Sequence, residues 1–434
     1  MFCILNKHVS LQWSLQTTHQ ETSPYIPQTP VCKKQVWQKD FSRPNAYEFF
    51  VFAFLALPMV GTLSELKATT TPINVPIFTT QKKYNNTNTQ MAPHIDICGK
   101  FGQELDKTVA LMTARGKGLL AADESTGTIA KRFEKINLEN TESHRQQYRQ
   151  LLFTAPKEWT EYISGVILYE ETLFQKSEEG KPFVEILNEA GVVPGIKLDL
   201  GVKELPGTDG ETATQGLDDL EKRIQKYYAQ GARFAKWRAV YKVGAGLPSQ
   251  VNITNNSETL ARYAAICLQN GLVPIVEPEI LVMEGSHDIE TSLNVTKRVL
   301  ASVFHALIEH NVDLNRIILK PNMVLPGNNC PTKSEDDKKI AAYTVDALNS
   351  TVPPAVRGIM FLSGGQSEQQ AVETLNAINK VNAPRPWAIS YSYGRALQDS
   401  AIKTWAGKRE NVAAAQKAYI EQAKKCSLAS KGEL

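Results

Sequence analysis

At one point in this sequence a lysine stands where an aliphatic residue belongs. In Arg316-Ile317-Ile318-Leu319-Lys320-Pro321-Asn322-Met323 a short apolar run closes on a charge and then a proline, the pattern of a barrel-type strand ending at its loop. Lys320 would sit at the strand's C-terminal mouth. Burial there disfavours an ammonium and can bring its ordinary value of about 10.4 down by several units. An amine that loses its proton is a nucleophile toward carbonyls. The plain alternative is a lysine that snorkels to solvent, so the residues that accompany it decide.

Three other runs carry ionisable pairs at alternate positions, which share one face of a strand. Gly195-Ile196-Lys197-Leu198-Asp199 places Lys197 with Asp199, and Phe234-Ala235-Lys236-Trp237-Arg238 places Lys236 with Arg238. Two cations inside a barrel need an anionic ligand or opposing acids. Ile275-Val276-Glu277-Pro278-Glu279 supplies acids: across the barrel, Glu277 and Glu279 would offset Lys236 and Lys320 and provide a proton carrier. A purely structural salt-bridged layer would read the same way. Asp123, after Leu119-Leu120-Ala121-Ala122, is a candidate base, and the following turn with Ser125 could hold an anion or simply cap a helix. Ser363-Gly364-Gly365 after one run, and Ser392-Tyr393-Gly394-Arg395 after another, combine free amides with an arginine as barrel phosphate sites do.

Of the seven histidines, His8, His19, His94, His144, His287, His305 and His310, only His287 falls near a strand end, so a histidine-held metal is not expected. No cofactor is implied, and the amine itself must act as the electron sink. The chemistry that fits is Schiff-base cleavage of a carbon–carbon bond in a phosphorylated sugar.

Positioning these groups takes eight apolar runs: Gly118–Asp123, Ile163–Glu170, Val193–Leu200, Arg233–Val240, Val273–Leu281, Arg316–Val324, Gly358–Gly364 and Trp387–Gly394. They alternate with helical stretches such as Leu217–Gln230, Ser257–Asn270, Leu293–Glu309 and Glu335–Leu348. The alternation predicts an α/β fold, an eight-stranded parallel (β/α)8 TIM barrel over 91–420, with its site at the C-terminal strand ends.

The formal charge of +3 on 434 residues gives no case for a nucleic-acid partner. Residues 1–90 carry eight Lys/Arg against four Asp/Glu, so the basic excess belongs to them. With one glycine and no sustained period, 1–90 reads as a disordered N-terminal extension. Its apolar stretch Phe49–Val60 is too short to span a membrane and too far in for an ordinary signal peptide. The extension reads as an upstream or isoform-specific leader, Met91 as an alternative start. Cys3, Cys32, Cys98, Cys267, Cys330 and Cys426 are scattered without paired spacing, which suits reduced thiols in a cytoplasmic protein.

Seven segments, LLAADESTGTIAKRF, GIKLDLG, FAKWRAVY, VEPEIL, ILKPNMV, FLSGGQSE and SYSYGRALQ, together resemble the signatures of the class I, Schiff-base-forming fructose-bisphosphate aldolases, in that family's order. The likeness covers roughly Met91 to Leu434. It implies reversible cleavage of fructose 1,6-bisphosphate to dihydroxyacetone phosphate and glyceraldehyde 3-phosphate in glycolysis and gluconeogenesis. It further implies that Lys320 forms the iminium at C2, Glu277 serves iminium formation and dehydration, and Asp123, near Lys236, takes the C4 hydroxyl proton. Ser363, Gly364, Gly365, Ser392 and Arg395 resemble one phosphate site, and Arg132 with Lys197, Ser125 and Arg238 the opposite end of the substrate. A homotetramer is implied in the same way. A transaldolase-like barrel would be expected to grip mainly one phosphate, and a non-catalytic scaffold would not need the strand-end set.

Two positions depart from the family pattern. Thr128 replaces a common serine and keeps the hydroxyl. Residues 421–434 read as a truncated C-terminal tail, with no tyrosine after Tyr419, where animal members carry a terminal tyrosine that assists enamine protonation. Slow turnover with an intact Schiff base is the resulting expectation.

Overall fold

The computed structural model describes residues 96–331 and 336–434; the 1–90 extension and its apolar stretch lie outside the described residues. Eight parallel strands close into a barrel in chain order. They are β1 (Gly118–Ala122), β2 (Ile163–Leu168), β3 (Val193–Lys197), β4 (Phe234–Tyr241), β5 (Val273–Ile280), β6 (Ile318–Leu319), β7 (Gly358–Phe361) and β8 (Ala388–Tyr393). All eight fall within or against the expected apolar runs. β2 is buried at every position, as a strand covered by side chains within and helices outside must be. β6 keeps only two residues because Pro321 has no N–H to donate. The ladder still continues through Lys320 N to Val276 O at 2.8 Å and Leu362 N to Pro321 O at 3.0 Å, which fixes the backbone that carries Lys320.

The helices that position the site are α1 (Gly102–Met112), α2 (Thr126–Glu134), α3 (Glu142–Phe153), α4 (Glu170–Phe174), α5 (Phe183–Glu189), α6 (Leu220–Ala229), α7 (Gln250–Gln269), α8 (Ile289–Glu309), α9 (Asp337–Thr351), α10 (Glu368–Lys380), α11 (Arg395–Trp405) and α12 (Val412–Lys431). α7 starts seven residues before the sequence suggested. Its first two turns are polar, but Asn252 and Asn256 are buried, and both donate to Thr212 O at 3.0 Å. That carbonyl belongs to a small hairpin, Val202–Glu204 with Thr212–Thr214, that follows β3.

The stretch 421–434 is not a tail through most of its length. It continues α12 to Lys431, with Cys426, Ser427 and Ala429 buried, and Gly432 ends the helix in the left-handed region at φ 73°. Small and apolar residues every three to four positions give this segment a face to bury.

Within β3, Gly195 leaves space for Phe234: a Cβ at that position would lie 2.2 Å from the ring. The close approach lets β3 and β4 pair with Lys197 directly opposite Lys236.

Candidate active site

Because β3, β4 and β5 are in parallel register, Lys197 is level with Lys236, and Arg238 with Glu277. These charges and the strand-end residues of β1 and β6 meet in a cleft of about 670 Å³ at the C-terminal mouth. Of the fourteen residues expected there, thirteen line it: Asp123, Ser125, Arg132, Lys197, Lys236, Arg238, Glu277, Glu279, Lys320, Ser363, Gly364, Ser392 and Arg395. Gly365 does not. Its φ of +80° turns the chain away, and its Cα packs so tightly on Val282 that a Cβ would lie 2.4 Å from Cγ2. It lines a neighbouring recess with Asn328 and Gln366. His287 lies outside the cleft lining as well.

Lys320 is 4 % exposed, so the snorkelling alternative fails. Its Nζ lies 3.1 Å from Glu277 Oε1, the one ion pair recorded for it among the described residues. Lys236 has three carboxylates: Asp123 Oδ2 at 2.8 Å, Glu277 Oε2 at 3.4 Å and Asp199 Oδ2 at 3.6 Å. Glu277 Oε2 accepts no hydrogen bond, so its attraction to Lys236 is Coulombic. Glu277 thus stands between the two amines.

Burial pushes Lys236 down, but Asp123, Glu277 and Asp199 outweigh it and hold the ammonium well above its ordinary range. Burial likewise raises Asp123, yet Lys236, Lys320 and Lys197 bring it well below the usual carboxylate range. Asp199 is lowered against its burial by Lys236 and Lys197, the latter 2.6 Å away.

These opposed shifts set a pH window. Carboxylates lowered in the native state contribute stability above their unfolded value of about 3.9 and lose it as pH falls. An ammonium raised in the native state contributes below its unfolded value of about 10.4 and loses it as pH rises. Between those limits the cluster's contribution is flat. Lys236→Met is expected to cost about 3–5 kcal/mol at neutral pH by leaving Asp123 without its buried ion-pair partner. Asp123 would then retain its proton in the native state, so the variant's urea midpoint should climb as pH falls from 8 to 5 while that of the wild type stays level. An equally level variant would mean that Lys236 is not the counter-charge of Asp123.

The cleft also carries hydroxyls and guanidinium groups of the kind that suit an anion. Ser392 Oγ is buried without a partner, and Ser363 is also buried in the lining. Arg395 opens α11 behind Gly394, adding a helix N-terminus to its guanidinium. Ser125 stands at the start of α2, but its side chain caps nothing there and instead meets the Thr128 hydroxyl at 3.1 Å. Arg238 Nε pairs with Glu279 Oε2 at 2.5 Å. Arg132 Nη2 lies 3.4 Å from the site a Gly394 Cβ would fill, against the β8–α11 turn.

Sequence reading missed Glu124, Lys131, Lys135, Met283 and Leu362, which also line the cleft. Lys131 and Lys135 had a legible signal, because their i, i+4 spacing puts them on one face of α2 with Thr128. Glu124 had none, since a carboxylate beside Asp123 reads as ordinary helix-start acidity.

The family model described as "Fructose-bisphosphate aldolase class-I" matches residues 104–434. The chain is 58% identical over 335 residues to cytosolic fructose-bisphosphate aldolase 5 of Arabidopsis thaliana, covering 77% of this chain and 92% of that protein. It is 56% identical over 336 residues to the fructose-bisphosphate aldolase of Dictyostelium discoideum, covering 77% and 93%. Among solved structures, the Plasmodium falciparum fructose-bisphosphate aldolase, in complex with TRAP and a small-molecule inhibitor, superposes with a TM-score of 0.75 at 50% identity. That match covers 77% of this chain and 96% of the other.

Proposed function

The chain belongs to the class I fructose-bisphosphate aldolase family, and on that premise we propose that Lys320 is the amine on which this lyase carries out the reversible cleavage of fructose 1,6-bisphosphate. Products are dihydroxyacetone phosphate and glyceraldehyde 3-phosphate, in glycolysis and gluconeogenesis, and the location is the cytosol of its named relatives. The observation that carries the assignment is a buried lysine with a single carboxylate at 3.1 Å inside a cleft ringed by cations.

Lys320 passes a proton to Glu277 and its free amine attacks the C2 carbonyl, giving a carbinolamine. Glu277 returns the proton to the C2 hydroxyl, which leaves as water and gives the iminium. Asp123 then takes the proton of the C4 hydroxyl, the C3–C4 bond breaks, and its electron pair enters the iminium as an enamine. Glyceraldehyde 3-phosphate departs first; protonation at C3 and hydrolysis release dihydroxyacetone phosphate and the amine. Asp123 is ionised and able to accept a proton, but Lys236 at 2.8 Å makes it a weak base. The pull of the iminium must therefore drive that transfer, and Lys236 steadies the C4 oxygen as charge moves.

Ser363, Gly364, Ser392 and Arg395 form one phosphate seat in this reading, with Lys197, Arg238 and Ser125 at the other end. Arg395→Ala should raise KM for fructose 1,6-bisphosphate about 10- to 100-fold, the worth of a charge-assisted hydrogen bond, with a smaller change in kcat. An unchanged KM would remove Arg395 from the seat. A coupled cleavage assay tests the function as a whole: turnover of the bisphosphate supports it, and an intact barrel that turns over nothing overturns it. A homotetramer is the family's assembly, and light scattering on the eluting species checks for four times 48.2 kDa.

A further inference from the structure

In the wall of the cleft, three helices converge on one buried carboxylate. Glu124, in the turn after β1, forms an ion pair through Oε1 with Arg132 Nη2 from α2 at 2.7 Å, and the same oxygen accepts from Gln398 Nε2 of α11 at 3.2 Å. Its Oε2 accepts Arg149 Nη2 from α3 at 2.6 Å. Gln398 is itself held by Tyr148 Oη at 3.0 Å and donates to Ala121 O at 2.7 Å. Arg132 lines the cleft and Arg149 does not; the Arg149 side chain is 4 % exposed. Arg132 also keeps a buried Nη1 with no partner, and Asp123 and Asp399 add to the negative field around it.

We propose that Arg149 is a positioning residue for anion binding: by neutralising Glu124 from behind, it leaves the cleft-lining Arg132 with an uncompensated charge for a substrate phosphate. The proposal rests on the cleft being the phosphorylated-sugar site. With Glu124 alone as its partner, Arg132 would form a neutral pair and offer a phosphate little attraction. Arg149 restores one net positive charge to the trio, and Glu124 serves as the rigid arm that aims Arg132. A second buried arginine on an already paired carboxylate has no structural necessity, because removing both partners of a buried ion pair costs little whereas removing one is expensive.

Charge balance makes a prediction that packing alone does not. Arg149→Met should weaken binding of inorganic phosphate and dihydroxyacetone phosphate about tenfold by titration calorimetry, and raise KM more than it lowers kcat. Arg149→Lys should recover most of that loss. Glu124→Gln added to Arg149→Met returns the trio to one positive charge, so phosphate affinity should come back to within about threefold of wild type. Should Arg149→Met not fold, the double variant is compared with Glu124→Gln alone, over which it should bind phosphate about tenfold more weakly. Phosphate affinity unchanged in Arg149→Met, or no recovery in the double variant, or equal affinity in the fallback pair, overturns the proposal. Calorimetry separates this from the function itself, since phosphate binding is read whether or not cleavage occurs.

Discussion

Lys320→Met is expected to lower aldol cleavage by four orders of magnitude or more, the scale seen when a covalent nucleophile is removed, while the barrel stays folded. Glu277, left without its 3.1 Å partner, still faces Lys236 at 3.4 Å, so no carboxylate is stranded and the stability change should be small. Borohydride reduction in the presence of dihydroxyacetone phosphate checks the assignment directly. The wild type should acquire one adduct at Lys320 by peptide mass spectrometry, and the variant none. An adduct on Lys236 in the wild type would reassign the nucleophile. The geometry gives a reason to expect otherwise: three carboxylates fix Lys236 as an ammonium, and a protonated amine has no lone pair to offer a carbonyl.

Glu277→Gln carries the second large effect, a fall of about 10²- to 10⁴-fold in kcat, the range for losing a positioned acid–base group. Lys320 would lose the carboxylate 3.1 Å away that takes up its proton and returns one to the C2 hydroxyl. Iminium formation, through attack at C2 and loss of the carbinolamine hydroxyl, should therefore become the slow step. Borohydride trapping, which captures only the dehydrated iminium, should slow in proportion to kcat. A variant that traps at the wild-type rate while kcat falls would move Glu277 out of the dehydration step. One that keeps kcat within tenfold would remove it from proton transfer altogether.

Both expectations draw on features that the sequence displayed unevenly. The eight strands were legible because strands buried on both faces must be continuously apolar, and each charge that interrupts such a run is visible as an interruption. Lys320, Glu277 and Glu279 stood out for that reason, and the period of two put Lys197 with Asp199 and Lys236 with Arg238 before any coordinates. Helix starts were less legible. The asparagine-rich opening of α7 reads as loop until the hairpin carbonyl of Thr212 is there to receive Asn252 and Asn256.

What the sequence determined alone was the barrel, the end of it that carries the chemistry, and most of the ionisable residues at that end. Those follow from periodicity, a local property of the chain. Only the tertiary structure decided that Lys236 is held as an ammonium, since that depends on carboxylates arriving from β1, β3 and β5. It also turned Gly365 away from the cleft, brought Arg132 against the β8–α11 turn, and set Arg149 behind Glu124, where Gln398 reaches across 274 positions of sequence. Charge state and aim are sums over neighbours in space, and a sequence lists only neighbours along the chain.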